Sequence, residues 1–176
     1  MIIDRATTAD LPTLHALIES AYRGDSARAG WTHEADLLGG QRTDLAALSD
    51  QVADPAQAIL VARDGALLAG CVAITDRGGG TAYIGLVTVD PSRQAAGLGR
   101  TLLAAAEEHS ALHFAAKHAE MTVISLRTEL IAWYQRRGYA LTGETRPFPA
   151  TDPRFGLPHR DDLVFVVMAK RLATLR

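Results

Sequence analysis

The segment that most constrains this chain runs from Leu86 to Leu103. A β-branched strand ends at Asp90-Pro91, a small-residue turn follows, and the turn opens a helix. Consecutive backbone N–H groups in such a turn surround an anion, and the helix N-terminus adds a partial positive charge. Glycine at 97 and 99 removes the Cβ atoms that would hold phosphate oxygens off those amides. The segment therefore predicts a phosphate site in a mixed α/β domain. Two familiar phosphate loops fail on residues: Walker A needs glycine and lysine where Gln94 and Arg100 stand, and the dinucleotide fingerprint needs a third glycine where Leu102 stands.

The rest of the chain reads as alternating short strands and helices. Ile2 to Ala6 is a strand, and Thr7 to Asp10 supplies capping oxygens for a helix whose Leu11, Leu14, Leu17, Ile18 and Ala21 share one face. Arg23 to Gly40 lacks a clean period, and Ala35 to Leu48 is expected as a second helix. Gln57 to Arg63 and Ala66 to Thr75 flank Asp64-Gly65, a hairpin pattern. With Thr81 to Val89 they predict an antiparallel meander. Leu98, Leu102, Ala105, Ala106 and His109 mark one face of a long helix, Met121 to Ser125 a short buried strand, and Leu130, Ile131 and Tyr134 a further helix closed by Gly138. Tyr139 to Thr145 and Leu163 to Met168 give two last strands. The prolines at 147, 149, 153 and 158 between them require a long loop.

Eighteen Lys and Arg against 20 Asp and Glu give a net charge of -2, so no overall positive field attracts nucleic acid or an anionic membrane. Apolar residues at 48% and charged ones at 22% describe an ordinary globular chain, and 176 residues suit one domain spanning positions 1 to 176. No run of 18 apolar residues and no basic leader occurs, which makes the cytoplasm the default address. The single cysteine, Cys71, has no partner for a disulfide and lies in an apolar run, as a small buried side chain does. His109, His113 and His118 do not form a metal motif, since no Glu stands in the H-E-x-x-H position; no metal is expected.

After the strand ending Val89-x-Pro91, the series Gln94, Gly97, Gly99 resembles the Gln/Arg-x-x-Gly-x-Gly/Ala motif of the GNAT superfamily of N-acetyltransferases. Further on, Ile131-Ala132-Trp133-Tyr134 followed by Gly138-Tyr139 is similar to that family's Ala-x-x-Leu-Tyr-x-x-x-Gly-Phe pattern, with Trp133 in place of leucine. The resemblance implies a GNAT-like acyl-CoA N-acyltransferase fold of the α/β (α+β) class, a central, mainly antiparallel mixed sheet flanked by helices. It implies acetyl-CoA, or coenzyme A, as cofactor. Gln94, Ala95, Ala96, Gly97, Leu98, Gly99 and Arg100 would hold the pyrophosphate, and backbone groups of Val87 and Val89 the pantetheine. Tyr134 takes the position of the tyrosine that protonates the departing thiolate. Arg127 stands where an asparagine often meets the cofactor.

Acetyl transfer also needs an oxyanion donor and a neutral amine. The N–H of Val89 is the expected donor if its strand separates there from its neighbour. The general base stays open: Glu34 and His33 are candidates, and loss of the proton to ordered water would need neither. Trp31, His33, Glu34, Phe148 and Phe155 are the candidate acceptor residues, the aromatic ones as walls of an apolar or cation-binding pocket. The expected partner is a small-molecule amine, or else a peptide amine, with room for a homodimer. The competing reading is a non-catalytic acyl-CoA-binding sensor domain of the same fold.

Overall fold

The computed structural model describes residues 1–94 and 96–173; Ala95 and residues 174–176 lie outside the described residues. In chain order the elements are β1 (Ile2–Arg5), α1 (Leu11–Tyr22), the single turn α2 (Gly24–Ala27), β2 (Leu38–Gly39) and α3 (Leu45–Ala53), then β3 (Gln57–Asp64), β4 (Leu67–Asp76) and β5 (Thr81–Val89). There follow α4 (Leu98–His113), β6 (His118–Ile124), α5 (Thr128–Gln135), β7 (Ala140–Pro147), β8 (Leu157–Pro158) and β9 (Val164–Arg171). A 7-stranded sheet has the order β1-β3-β4-β5-β6-β9-β7. All its pairings are antiparallel except β5 with β6. The expected meander and mixed sheet are therefore present. β2 and β8 pair apart from it and tie the loop before α3 to the proline-rich loop.

The sheet is covered on both faces. β3 and β4 carry near-continuous buried runs, the pattern of strands packed on two sides, whereas β5 alternates buried and half-buried residues. On one face Leu14, Leu17 and Ile18 of α1 and Leu48 of α3 pack on Ile59, Val61 and Cys71. On the other, Leu98, Leu102, Leu103 and Ala106 of α4 and Tyr134 of α5 pack on Val72, Ile84 and Met121. The approach of α4 is close: a Cβ on Gly70 would lie 2.6 Å from the Thr88 carbonyl oxygen and 2.8 Å from Leu102. Cys71 is fully buried, and burial pushes its thiol up to about 12, which leaves no thiolate to react at neutral pH.

One element differs from its expectation. The helix expected over Ala35 to Leu48 begins only at Leu45, because Gly39 and Gly40 interrupt the backbone, Gly40 with φ +69, and Asp44 caps the new start by accepting from Ala47 N at 2.7 Å. Residues 28 to 37 instead form a loop that crosses the C-terminal end of β5.

Candidate active site

The site begins with a defect in β5. Cys71 opposes Thr88 and Ala73 opposes Gly85, so Val72 alone faces both Leu86 and Val87, a β-bulge with the extra residue on β5. Leu86 takes φ +50, unusual for a branched residue, and the Thr88 hydroxyl donates to its carbonyl at 2.9 Å. A bulge bends its strand. β5 pairs with β6 only from Thr81 to Tyr83, and beyond that the two strands diverge. Asp90 N still donates to Ala69 O on β4, so the alternation of an antiparallel pair turns the N–H of Val89 to the opposite, open edge. The condition set for Val89 as a donor, separation from its neighbour, is met by the backbone.

The opening holds two chambers. The first lies over the C-terminal end of β5 and the start of α4, and is lined by Trp31, Thr32, Val87 to Val89, Gln94, Gly97 to Arg100, Arg127, Leu130, Trp133, Tyr134 and Arg137. Three arginines and, among the described residues, no carboxylate face it. The first-turn amides of α4 have no partner within the helix, and Gly97 at φ +80 turns the chain into that helix. A Cβ on Gly97 would meet nothing nearer than Arg100 at 4.0 Å, so glycine is required there by its left-handed backbone and not by crowding. Open amides, positive side chains and the absence of acids suit a pyrophosphate.

The second chamber, about 440 Å³, lies between β5 and β6 below the proline-rich loop. Its walls include Tyr22, Arg23, Glu34, Arg42, Tyr83, Phe148, Arg154 and Phe155. The two chambers share Tyr22, Val87, Arg127, Leu130 and Tyr134. Tyr134 on α5 is 7% exposed, and burial pushes its phenol above the ordinary tyrosine value, so it keeps its proton at neutral pH. Tyr22, on α1 across the opening, donates to the Val87 carbonyl at 2.8 Å.

The loop of residues 28 to 37 is fastened to both chambers. Gln94 Oε1 accepts from Trp31 N at 2.8 Å while its Nε2 donates to Val89 O at 3.4 Å. Gly30 allows that approach, since a Cβ there would fall 2.5 Å from the same amide oxygen. Trp31 then meets Trp133 at 6.4 Å between ring centroids, and Arg137 stacks on the far ring at 3.5 Å. Arg127 donates to Thr32 Oγ1 at 2.6 Å and to Glu34 at 3.1 Å, and Arg23 takes the other Glu34 oxygen at 2.7 Å. Burial would raise the Glu34 carboxyl, but Arg127, Arg42 and Arg23 outweigh it and hold it below the usual glutamate value.

These placements revise several expectations. Trp31 lines the first chamber and not the second, because Gln94 holds its backbone beside the turn from β5 to α4. His33 lines neither chamber, and its Nδ1 accepts from Ala35 N at 3.2 Å. Glu34 faces the second chamber but is a buried, doubly paired carboxylate, a poor candidate for taking a proton. Arg127, in the asparagine position of the motif, spends its guanidinium on the loop. Phe148 is buried against Phe165, and Phe155 is partly exposed; both line the second chamber. Gln94, Gly97, Leu98, Gly99 and Arg100 line the first, Ala96 lies on the exposed turn beside them, and Ala95 is outside the described residues. Sequence reasoning missed Tyr22, Arg23 and Arg42, which belong to no motif and meet the site only through the fold. Among the described residues no cluster of three or more His, Cys, Asp or Glu is arranged for a metal, and no helix is long and apolar enough to cross a membrane.

Residues 14–139 match the model of the acetyltransferase (GNAT) family. Among curated proteins no sequence matches significantly. Solved structures share the architecture. A ribosomal-protein-alanine N-acetyltransferase from Brucella melitensis is similar with a TM-score of 0.70 and 20% identity, over 98% of this chain and 100% of that one. The yncA protein of Salmonella typhimurium, solved with its cofactor acetyl-CoA, gives 0.71 and 17% over 100% and 96%. A GNAT-family acetyltransferase from Streptococcus pneumoniae gives 0.68 and 18% over 97% and 99%. At such identities the likeness speaks for the fold alone.

Proposed function

This chain belongs to the GNAT acetyltransferase family, and from that premise we propose that it transfers the acetyl group of acetyl-CoA to the primary amine of a small molecule. One observation carries the reading: the chamber lined by open helix amides and three arginines joins a second chamber at Val87 and Tyr134. Donor and acceptor thus meet at a backbone strand and a phenol. Acetyl-CoA, the cofactor of the Salmonella protein with this fold, supplies an acetyl group activated as a thioester. The amides of Leu98 to Arg100 with Arg100 and Arg137 would hold its pyrophosphate, and the stretch Val87 to Val89, where β5 has left β6, would take the pantetheine once Tyr22 and Gln94 yield the two carbonyls they now occupy.

In the transfer an N–C bond forms, the C–S bond breaks, the amine loses one proton and the thiol gains one. The Val89 N–H, turned to the open edge, stabilises the developing oxyanion. The Tyr134 hydroxyl donates its proton to the departing sulfur, and the proton lost by the amine nitrogen returns through solvent to the phenolate, which restores the phenol. The arginines of the second chamber favour the neutral amine over the ammonium, which reduces the demand for a general base. Phe148 and Phe155 give the acceptor an apolar wall.

Gly97→Val tests the cofactor assignment. A branched residue resists φ +80 and fills the space before the amides, so coenzyme A affinity should fall at least tenfold, about 1.4 kcal/mol, in calorimetry with the folded variant. Equal affinity for variant and parent would reject the site. Tight coenzyme A binding without thiol release from acetyl-CoA, across a broad amine panel, would favour a sensor over an enzyme.

A further inference from the structure

The second chamber carries more positive charge than acetyl transfer requires. Arg23, Arg42, Arg127 and Arg154 line it, against the carboxylates of Glu34 and Asp44. Most of that charge is already matched. Glu34 divides its oxygens between Arg23 and Arg127, Arg154 is paired with Asp152, and Asp44 serves Gln41 and the start of α3. Arg42 is different. Its backbone N–H goes to Glu19 at 2.8 Å, yet among the described residues no carboxylate lies within ion-pair distance of its guanidinium. That guanidinium sits 5.0 Å over the Tyr22 ring, and the same tyrosine reaches the Val87 carbonyl with its hydroxyl. One aromatic ring separates a half-buried cation, which Glu34 feels only from beyond ion-pair distance, from the place where the chambers join.

We propose that the acceptor is a small amine that also carries an oxyanion, a carboxylate or phosphonate, which Arg42 binds while the amine reaches the junction at Val87 and Tyr134. The proposal rests on the acetyl-transfer reading. A guanidinium in a confined cavity gains most from a planar anion that takes two of its N–H groups at once. An amine with no anion would instead bring an ammonium group toward four arginines that Glu34, Asp44 and, through Arg154, Asp152 offset only in part. An anion on the acceptor removes that conflict and fixes which end of the molecule points to the acetyl group.

The test is thiol release from acetyl-CoA with matched acceptors: the α-amino acids, their carboxamides, their decarboxylated amines and the corresponding aminophosphonates. At least one amino acid or aminophosphonate should be acetylated with a kcat/KM at least tenfold above its uncharged counterparts, and the better of these two arms identifies the anion. Arg42→Met keeps the stem and its contact with Tyr22; it should raise the acceptor KM at least tenfold, leave the KM for acetyl-CoA unchanged, and abolish the preference over the carboxamide. Arg42→Lys should restore part of that preference. Preference for the uncharged amines, an Arg42→Met effect equal on charged and uncharged acceptors, or no release from any member while coenzyme A still binds would overturn the proposal. Failure of coenzyme A to bind at all would overturn the acetyl-transfer reading itself and this proposal with it.

Discussion

Tyr134→Phe should lower kcat by roughly 10² to 10⁴, the range of a positioned acid–base group. The variant isolates one oxygen atom. The ring packs edge-on against Trp133 at 5.0 Å and Tyr139 at 5.9 Å, contacts that phenylalanine keeps, so folding and coenzyme A affinity should survive. In water a thiol of pKa about 8.5 and a phenol of about 10 make donation to the thiolate mildly uphill. Burial raises the Tyr134 phenol, and the same dry surroundings raise a thiolate formed beside it, so the gap between them need not widen. The KM for acetyl-CoA should change little. Single-turnover measurements belong beside steady-state ones, because slow product release would mask a loss in chemistry. Unchanged rates in both would leave Tyr134 as a packing residue.

What the sequence reveals and what it hides divide along one physical line. The turn from β5 into α4 is legible because its signals are local: a strand, a proline, two glycines and a helix start lie within a single stretch. The divergence of β5 from β6 is not, since it follows from a bulge that sets Val72 against two residues of β5 and puts Leu86 at φ +50, and nothing in a leucine announces that backbone. The expectation of a helix from Ala35 failed for a similar reason. Its apolar residues suggested a period, but Gly39-Gly40 and the Asp44 cap decide where a helix begins. Trp31 is expected as an aromatic wall of the acceptor pocket, whereas one hydrogen bond from its backbone to Gln94, 63 residues away, places it on the wall of the first chamber. Arg23, Glu34 and Arg127 are likewise invisible as a unit, because the pair of Glu34 with Arg127 joins positions 93 residues apart.

Glu34→Gln should destabilise the protein by about 3 kcal/mol and lower Tm by roughly 6 to 12 °C, the cost of removing one member of a buried ion network from a chain of this size. Arg23 is 6% exposed, and its Nε has no partner among the described residues; without the carboxylate its charge and that of Arg127 stand uncompensated. The carboxyl is held below its usual value, so its stabilising contribution is complete above the unfolded glutamate pKa of about 4.3 and is lost as pH falls through the depressed folded value. The gap in Tm between parent and variant should therefore be constant from neutral pH down to about 5 and close in stronger acid. Function should follow stability through the loop. Arg127 holds Thr32 and Gln94 holds Trp31, so loosening the shared carboxylate should raise the KM for acetyl-CoA as well as that of the acceptor. A variant with the parent's Tm at pH 7 would show that the network contributes nothing net. One that loses rate but neither stability nor affinity would return Glu34 to the candidates for the general base.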